Sequence, residues 1–203
     1  MPRVIECLLL DFDGVLVRYA RPLRVRHLAA SIGCADAQVQ AALFDSGLER
    51  AYDSGMPTDA YLQQLGDALQ TTISVAQWQA ARSAACTPQT AVIERVARIA
   101  RTLPIAILTN NGALMAQTIV HLLPPLADAL HGRILCSGAL DGRKPDPAIF
   151  AKAVALLGAR TERTLFIDDL FVNVRGARQA GLQAETATDS RGFGKVIKRY
   201  GLE

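Results

Sequence analysis

The sequence predicts an α/β fold, a doubly wound parallel sheet interrupted near its start by an all-helical insertion. Three observations carry that prediction. Short apolar runs recur at Leu8-Leu9-Leu10, Ile105-Ala106-Ile107-Leu108 and Leu165-Phe166-Ile167, each the length of a strand buried on both faces. From residue 88 onward, strand-like and helical patterns alternate, an order that right-handed crossovers turn into a parallel sheet. From about Arg21 to Ala85, by contrast, only helical patterns occur.

Taken in order, Val4 to Leu10 is the first strand, and it runs into Asp11-Phe12-Asp13-Gly14-Val15. In the insertion, Val25, Leu28, Ala29 and Ile32 recur at helical spacing before Gly33, and Val39, Ala42 and Leu43 repeat the theme. Thr58 is expected to cap a helix with Tyr61, Leu62, Leu65 and Leu69 on one face, and Ser74 to cap another containing Trp78. Thr87-Pro88 reads as the start of the helix carrying Val92, Val96 and Ile99, since proline suits the first helical position. Pro104 to Leu108 is the second strand, and a helix through Met115 and Ile119 is stopped by Pro124-Pro125. Arg133 to Cys136 is a short third strand, and the loop Gly142-Arg143-Lys144-Pro145-Asp146-Pro147 leads into a helix closed by Gly158. Thr164 to Ile167 is the fourth strand, Gln183 to Thr186 a fifth, and Arg191 to Glu203 a surface helix.

Composition narrows the class. With 203 residues, half of them hydrophobic and 20% charged, the chain can bury a real core and is not disordered. A net charge of +3, with the lysines and arginines scattered, gives no reason to expect nucleic acid as a partner. No apolar stretch approaches a membrane span, and Met1 to Leu10 reads as a strand, not a signal peptide. Cys7, Cys34, Cys86 and Cys136 are isolated and histidines number only three, so a thiolate or imidazole metal site is not expected. Reduced cysteines suit a cytoplasmic protein.

The chemistry concentrates at strand ends. Asp11 and Asp13 lie on the same side of the first strand while Phe12 turns inward. Two like charges this close require a cation between them or a proton on one. Thr109 follows the second strand, Lys144 the third, and Asp168-Asp169 the fourth. In doubly wound sheets ligands bind outside the carboxyl ends of the strands, where these residues converge.

Those residues fall into four ordered motifs, Asp11-Phe12-Asp13-Gly14-Val15, Leu108-Thr109-Asn110, Arg143-Lys144-Pro145-Asp146-Pro147 and Phe166-Ile167-Asp168-Asp169. On them the chain resembles the haloacid dehalogenase-like hydrolases, and within these it is similar to sugar-phosphate phosphatases and the phosphatase domain of soluble epoxide hydrolases. The resemblance implies a Rossmann-like core of residues 1–17 and 86–203 with a helical cap of residues 18–85. It differs at Asn173, where many relatives carry a third carboxylate.

The resemblance further implies a phosphomonoesterase acting on a small phosphorylated metabolite, a sugar phosphate foremost. Asp11 would be the nucleophile and Asp13 the general acid and base. Magnesium, suited by an all-oxygen ligand set, would be held by Asp11, the backbone carbonyl of Asp13 and Asp169, with Asp168 direct or through water. Thr109, the Asn110 backbone N–H and Lys144 would bind the phosphoryl oxygens. Arg18, Arg21 and Arg24 stand near the cap entrance and read first as solvated, and Trp78, Tyr52 and Tyr19 either fill the cap core or meet a sugar ring. The assembly is expected to be a monomer or a homodimer. The rivals are a phosphomutase, a 2-haloacid dehalogenase and a catalytically silent metabolite-binding module. Asp13 and the Asp168-Asp169 pair argue against the dehalogenase, which has no leaving alkoxide to protonate.

Overall fold

The structure, a computed structural model, describes residues 4–203. The reading of residues 1–3 therefore lies outside the described residues. Strand β1 (Cys7–Leu10) is at the centre of a parallel sheet, between β4 (Ile105–Thr109) and β6 (Thr164–Asp168). The short strand β5 (Ile134–Cys136) flanks β4, and β7 (Gln183–Thr186) flanks β6.

Side-chain alternation explains why helices cover both faces. Leu9, Ala106, Leu108, Phe166 and Ala184 pack on one face with Phe150 and Ala153 of α8 (Pro147–Leu156) and Val174 and Ala177 of α9 (Phe171–Gln179). Leu8, Leu10, Ile105, Ile107, Leu165 and Ile167 belong to the other face. That face is covered by α6 (Thr90–Ile99), α7 (Met115–Leu122) and α10 (Ser190–Arg199). Each such fully buried aliphatic side chain contributes about 1.5–3 kcal/mol, so the central strand is held from both sides. One expectation is corrected here. The C-terminal segment is no mere surface helix, because α10 buries Phe193, Val196 and Ile197 in the core.

The helical insertion is entered and left through a two-stranded antiparallel ribbon that the sequence reading did not anticipate. Strand β2 (Val17–Tyr19) pairs with β3 (Cys86–Pro88), Val17 opposite Pro88 and Tyr19 opposite Cys86. Thr87-Pro88 is thus strand rather than helix start, and Pro88, which has no N–H to donate, sits at the end of the strand. Helix α6 begins at Thr90, with Gln89 ahead of it donating its side-chain amide to the carbonyls of Gly14 and Val15.

Between the ribbon strands lie α1 (Arg21–Ile32), α2 (Asp36–Gln40), α3 (Leu48–Tyr52), α4 (Thr58–Leu69) and α5 (Val75–Ala84). Ser74 caps α5 as expected, its Oγ accepting from Gln77 N–H. Thr58 is no cap; Pro57 precedes the helix, and the Thr58 hydroxyl lies 3.0 Å from the Tyr52 hydroxyl. Trp78 is a core residue whose indole N–H donates to Tyr61 Oη at 2.9 Å, while the Tyr52 and Tyr61 rings stack at 4.0 Å. Arg24 is buried, not solvated, and pairs with Glu49 at 2.5 Å.

Three contacts seat this insertion on the sheet. The Leu114 N–H donates to Tyr52 Oη at 3.0 Å, and Ser137 Oγ donates to the Asp53 carbonyl at 2.5 Å. Gly112 lies so close beneath the Tyr52 ring that a Cβ there would come within 2.0 Å of it, so only glycine fits.

Candidate active site

The apolar strands deliver polar side chains to one edge. The structure brings Asp11, Asp13, Thr109, Asn110, Lys144 and Asp169 around one cavity of about 390 Å³, with Asp168 buried just behind it. Every residue singled out in the four motifs meets here. The turn after β1 is what permits it. Gly14 adopts φ +89°, and a Cβ on it would come within 2.3 Å of the Asp169 carboxyl carbon. Glycine therefore allows both the turn and the approach of Asp169, the carboxylate just beyond β6.

Lys144 organises the charges. Its Nζ is buried 2.8 Å from Asp11 Oδ1 and 2.7 Å from Asp168 Oδ2. Burial alone would lower the lysine, but the two carboxylates raise it above its ordinary range. Asp11 Oδ1 also accepts from Phe12 N–H at 2.7 Å. Burial, then the like charges of Asp168 and Asp13, push the Asp11 carboxyl up to about 8 against the opposing pull of Lys144. Asp169 is likewise raised, by burial and by Asp168 beside it.

Asp168 is fully occupied by donors. Oδ1 accepts from Leu170 N–H and from Asn173 Nδ2, and Oδ2 from Asn173 Nδ2 and Lys144 Nζ. The amide at position 173 thus gives Asp168 hydrogen bonds where a third carboxylate would add repulsion.

Asn110 does a different task from its neighbours. Its side chain exchanges two hydrogen bonds with the Lys144 backbone, Nδ2 to the carbonyl at 2.9 Å and Oδ1 from the N–H at 2.8 Å. It fixes the loop that aims the lysine. Thr109 Oγ1 accepts from Asn111 Nδ2 at 2.7 Å, which leaves its O–H as a donor toward the cavity.

Two residues that sequence reasoning did not select complete the site. Arg82, buried in the last turn of α5, reaches Asp13 Oδ2 at 2.5 Å and Asn111 Oδ1 at 3.0 Å. Asn111 Nδ2 donates to the same Asp13 Oδ2 at 3.0 Å. Both donors fall on one oxygen, so Asp13 Oδ1 is left buried without a partner. The guanidinium lies 4.0 Å over the Tyr19 ring, which fixes it further. Asn111 could have been noticed as the neighbour of Asn110, whereas nothing local to Arg82 marks it.

Oxygen atoms from Asp11, Asp168 and Asp169 lie within 4.8 Å of one another, with no thiolate or imidazole among them. This donor set, short of positive charge apart from Lys144, fits a hard divalent cation such as magnesium. With the donors of Asp168 accounted for above, Asp11 and Asp169 have the freer oxygens.

Comparison with known proteins agrees with this architecture. Residues 5–181 match the model of the haloacid dehalogenase-like hydrolases, and the chain belongs to that family. It is 36% identical over 84 residues to Phosphatase MT3486 of Mycobacterium tuberculosis (strain CDC 1551 / Oshkosh), a match spanning 41% of this chain and 38% of that one. The fold is similar to a predicted HAD-like family hydrolase from Porphyromonas gingivalis, with TM-score 0.78, 20% identity, and 98% and 99% of the two chains covered. It is also similar to a HAD family enzyme from Bacteroides thetaiotaomicron in complex with magnesium and inorganic phosphate, with TM-score 0.73, 20% identity, and 90% and 93% covered. The chain thus belongs to this family and has its Rossmann-like core. No helix among the described residues is long and apolar enough to cross a membrane.

Proposed function

We propose that this chain is a magnesium-dependent phosphomonoesterase that hydrolyses a small phosphorylated metabolite, a sugar phosphate foremost, through an aspartyl-phosphate. The observation that carries the reading is the division of labour between two carboxylates. Asp11 is held against a buried lysine, while Asp13 keeps one unpartnered oxygen beside the cavity.

An Asp11 carboxylate oxygen attacks phosphorus, and the bond from phosphorus to the ester oxygen breaks. Asp13 gives its proton to the departing alkoxide through Oδ1, the oxygen that Arg82 and Asn111 leave free. Asp13 then takes a proton from water, whose oxygen attacks the phosphoryl group and restores the Asp11 carboxylate. Lys144, the Thr109 hydroxyl and the Asn110 backbone N–H neutralise and orient the phosphoryl oxygens. Asp168 serves chiefly to anchor Lys144 and to complete the acidic cluster. Magnesium, held by Asp11, the Asp13 carbonyl and Asp169, would supply charge neutralisation between the anionic nucleophile and the anionic phosphate. Residues 18–85 act as a cap that excludes water and contacts the rest of the substrate.

Release of inorganic phosphate from a generic aryl phosphate tests this reading. Turnover is expected with magnesium and is lost with a chelator, and no chloride is released from a 2-chloro acid. Chelator-insensitive turnover, or halide release without phosphatase activity, would contradict it. Conversion of a sugar phosphate to its isomer without free phosphate would favour the mutase instead.

A further inference from the structure

Beyond the reaction cavity, a second cavity of about 670 Å³ extends between the helical insertion and the sheet edge. The two share Asp13, Tyr19, Asn110, Arg143 and Lys144, so they adjoin, and a group attached to a phosphate at Lys144 would lie beside the larger one. Its lining is rich in arginine. Arg24 and Arg82 are already committed, to Glu49 and to Asp13. Arg21, Arg50 and Arg143 line the same space and form no ion pair with any carboxylate of the described residues.

The opposing unpaired charge is smaller, Asp53 and Asp146 against three arginines. Asp146 is engaged in capping α8, its Oδ1 accepting from Ala148 N–H. That leaves Asp53, whose backbone is fixed by Ser137 and whose Oδ1 is buried without a partner. Burial and the neighbouring Glu49 push its carboxyl up to about 7, against the pull of Arg24, Arg143 and Arg82, so it offsets at most part of one charge near neutral pH. Arg21 is held over the Phe44 ring at 4.2 Å, which keeps its guanidinium at the chamber wall. Arg21 and Arg50 are exposed and Arg143 half-buried around this open chamber, so three guanidiniums without a carboxylate partner set a positive field at its wall, and their forked donors match carboxylate or phosphate oxygens. A neutral hydroxyl tail can accept a hydrogen bond from these donors but brings no charge to meet theirs.

We propose that this chamber is a subsite for a second anion on the substrate, so that the favoured substrates are phosphate monoesters carrying a carboxylate or a second phosphoryl group on the same small molecule. The inference rests on the phosphomonoesterase reading and narrows its substrate class. Phosphate transfer takes place at Asp11, while the distal anion is held by Arg21, Arg50 and Arg143.

The test compares three esters of matched chain length, one with a neutral hydroxyl tail, one with a carboxylate and one with a second phosphate. The wild-type protein is expected to prefer at least one anionic tail by about tenfold or more in kcat/KM, carried mainly by KM. In the Arg21→Gln/Arg50→Gln double variant that ratio falls toward one. The carboxylate and phosphate arms show which anion the chamber takes. In parallel, calorimetry with a short unphosphorylated dicarboxylate and with a small bisphosphate measures binding without turnover, and the double variant is expected to weaken it about tenfold. Equal kcat/KM for all three tails, or binding unaffected by the double substitution, would overturn the subsite. Absence of turnover with every ester, including an aryl phosphate, alongside arginine-dependent binding would instead refute the phosphatase reading and leave the subsite standing.

Discussion

Replacement of Lys144 by methionine is expected to reduce phosphate release about 10³-fold or more and to destabilise the metal-free fold by about 3–5 kcal/mol. The lysine is the cation between Asp11 and Asp168, and both its partners are buried. Methionine keeps much of the volume but leaves two carboxylates facing each other with no counter-charge. The stability loss has a pH signature. Burial raises the Asp11 carboxyl to about 8 even with Lys144 present, so the folded state binds this proton more tightly than the unfolded chain. Stability contributed by Asp11 therefore falls as pH rises from the ordinary carboxylate range toward about 8. Removing Lys144's opposing pull should raise that carboxyl further, so the variant goes on losing stability near pH 8, where the wild-type fall levels off. Urea unfolding of both proteins in chelator, between pH 5 and 8, checks it; a Lys144→Met protein as stable as wild type across that range would show that the ion pairs are not what balances the site.

The second large effect is expected at Arg82. Arg82→Gln should lower kcat on alkyl phosphates about 10²-fold, and on an aryl phosphate with a good leaving group much less. The reason is geometric, because Arg82 and Asn111 both hold Asp13 Oδ2 and so present Oδ1 for proton transfer. An aryl oxide departs without a proton, so it does not register the loss. Steady-state kinetics on a series of esters of graded leaving-group acidity measures this. An equal loss on all of them would mean that Arg82 serves cap packing and not proton delivery.

These two residues also mark the limit of what the sequence conveys. Lys144 was legible because it sits in a four-motif order and because strand ends in a parallel sheet converge. Asp11, Asp13, Thr109, Asn110, Asp168 and Asp169 are picked out the same way, each at or just beyond an apolar run that identifies its strand locally, and the structure brings them together. Arg82 was not, since its partner Asp13 is 69 residues away and the contact exists only once the insertion folds back over the sheet. The β2–β3 ribbon escaped for a related reason. Three-residue strands carry too little pattern, and Thr87-Pro88 offers the same local signal as a helix start. Helix α10 was different, because Phe193, Val196 and Ile197 have helical spacing that could have marked a buried face. Asn110 shows the subtler gap between position and role, for its side chain fixes the Lys144 loop through reciprocal hydrogen bonds that no motif reveals.

The central claim is that Asp11 is the nucleophile, and the most direct measurement is acid quenching of the magnesium-loaded protein during turnover, followed by mass spectrometry of the peptide that contains it. The account predicts a phosphoryl group on Asp11 in the wild-type protein and neither the adduct nor phosphate release in Asp11→Asn. Steady phosphate release from Asp11→Asn, or a phosphoryl group mapped to another residue, would contradict it.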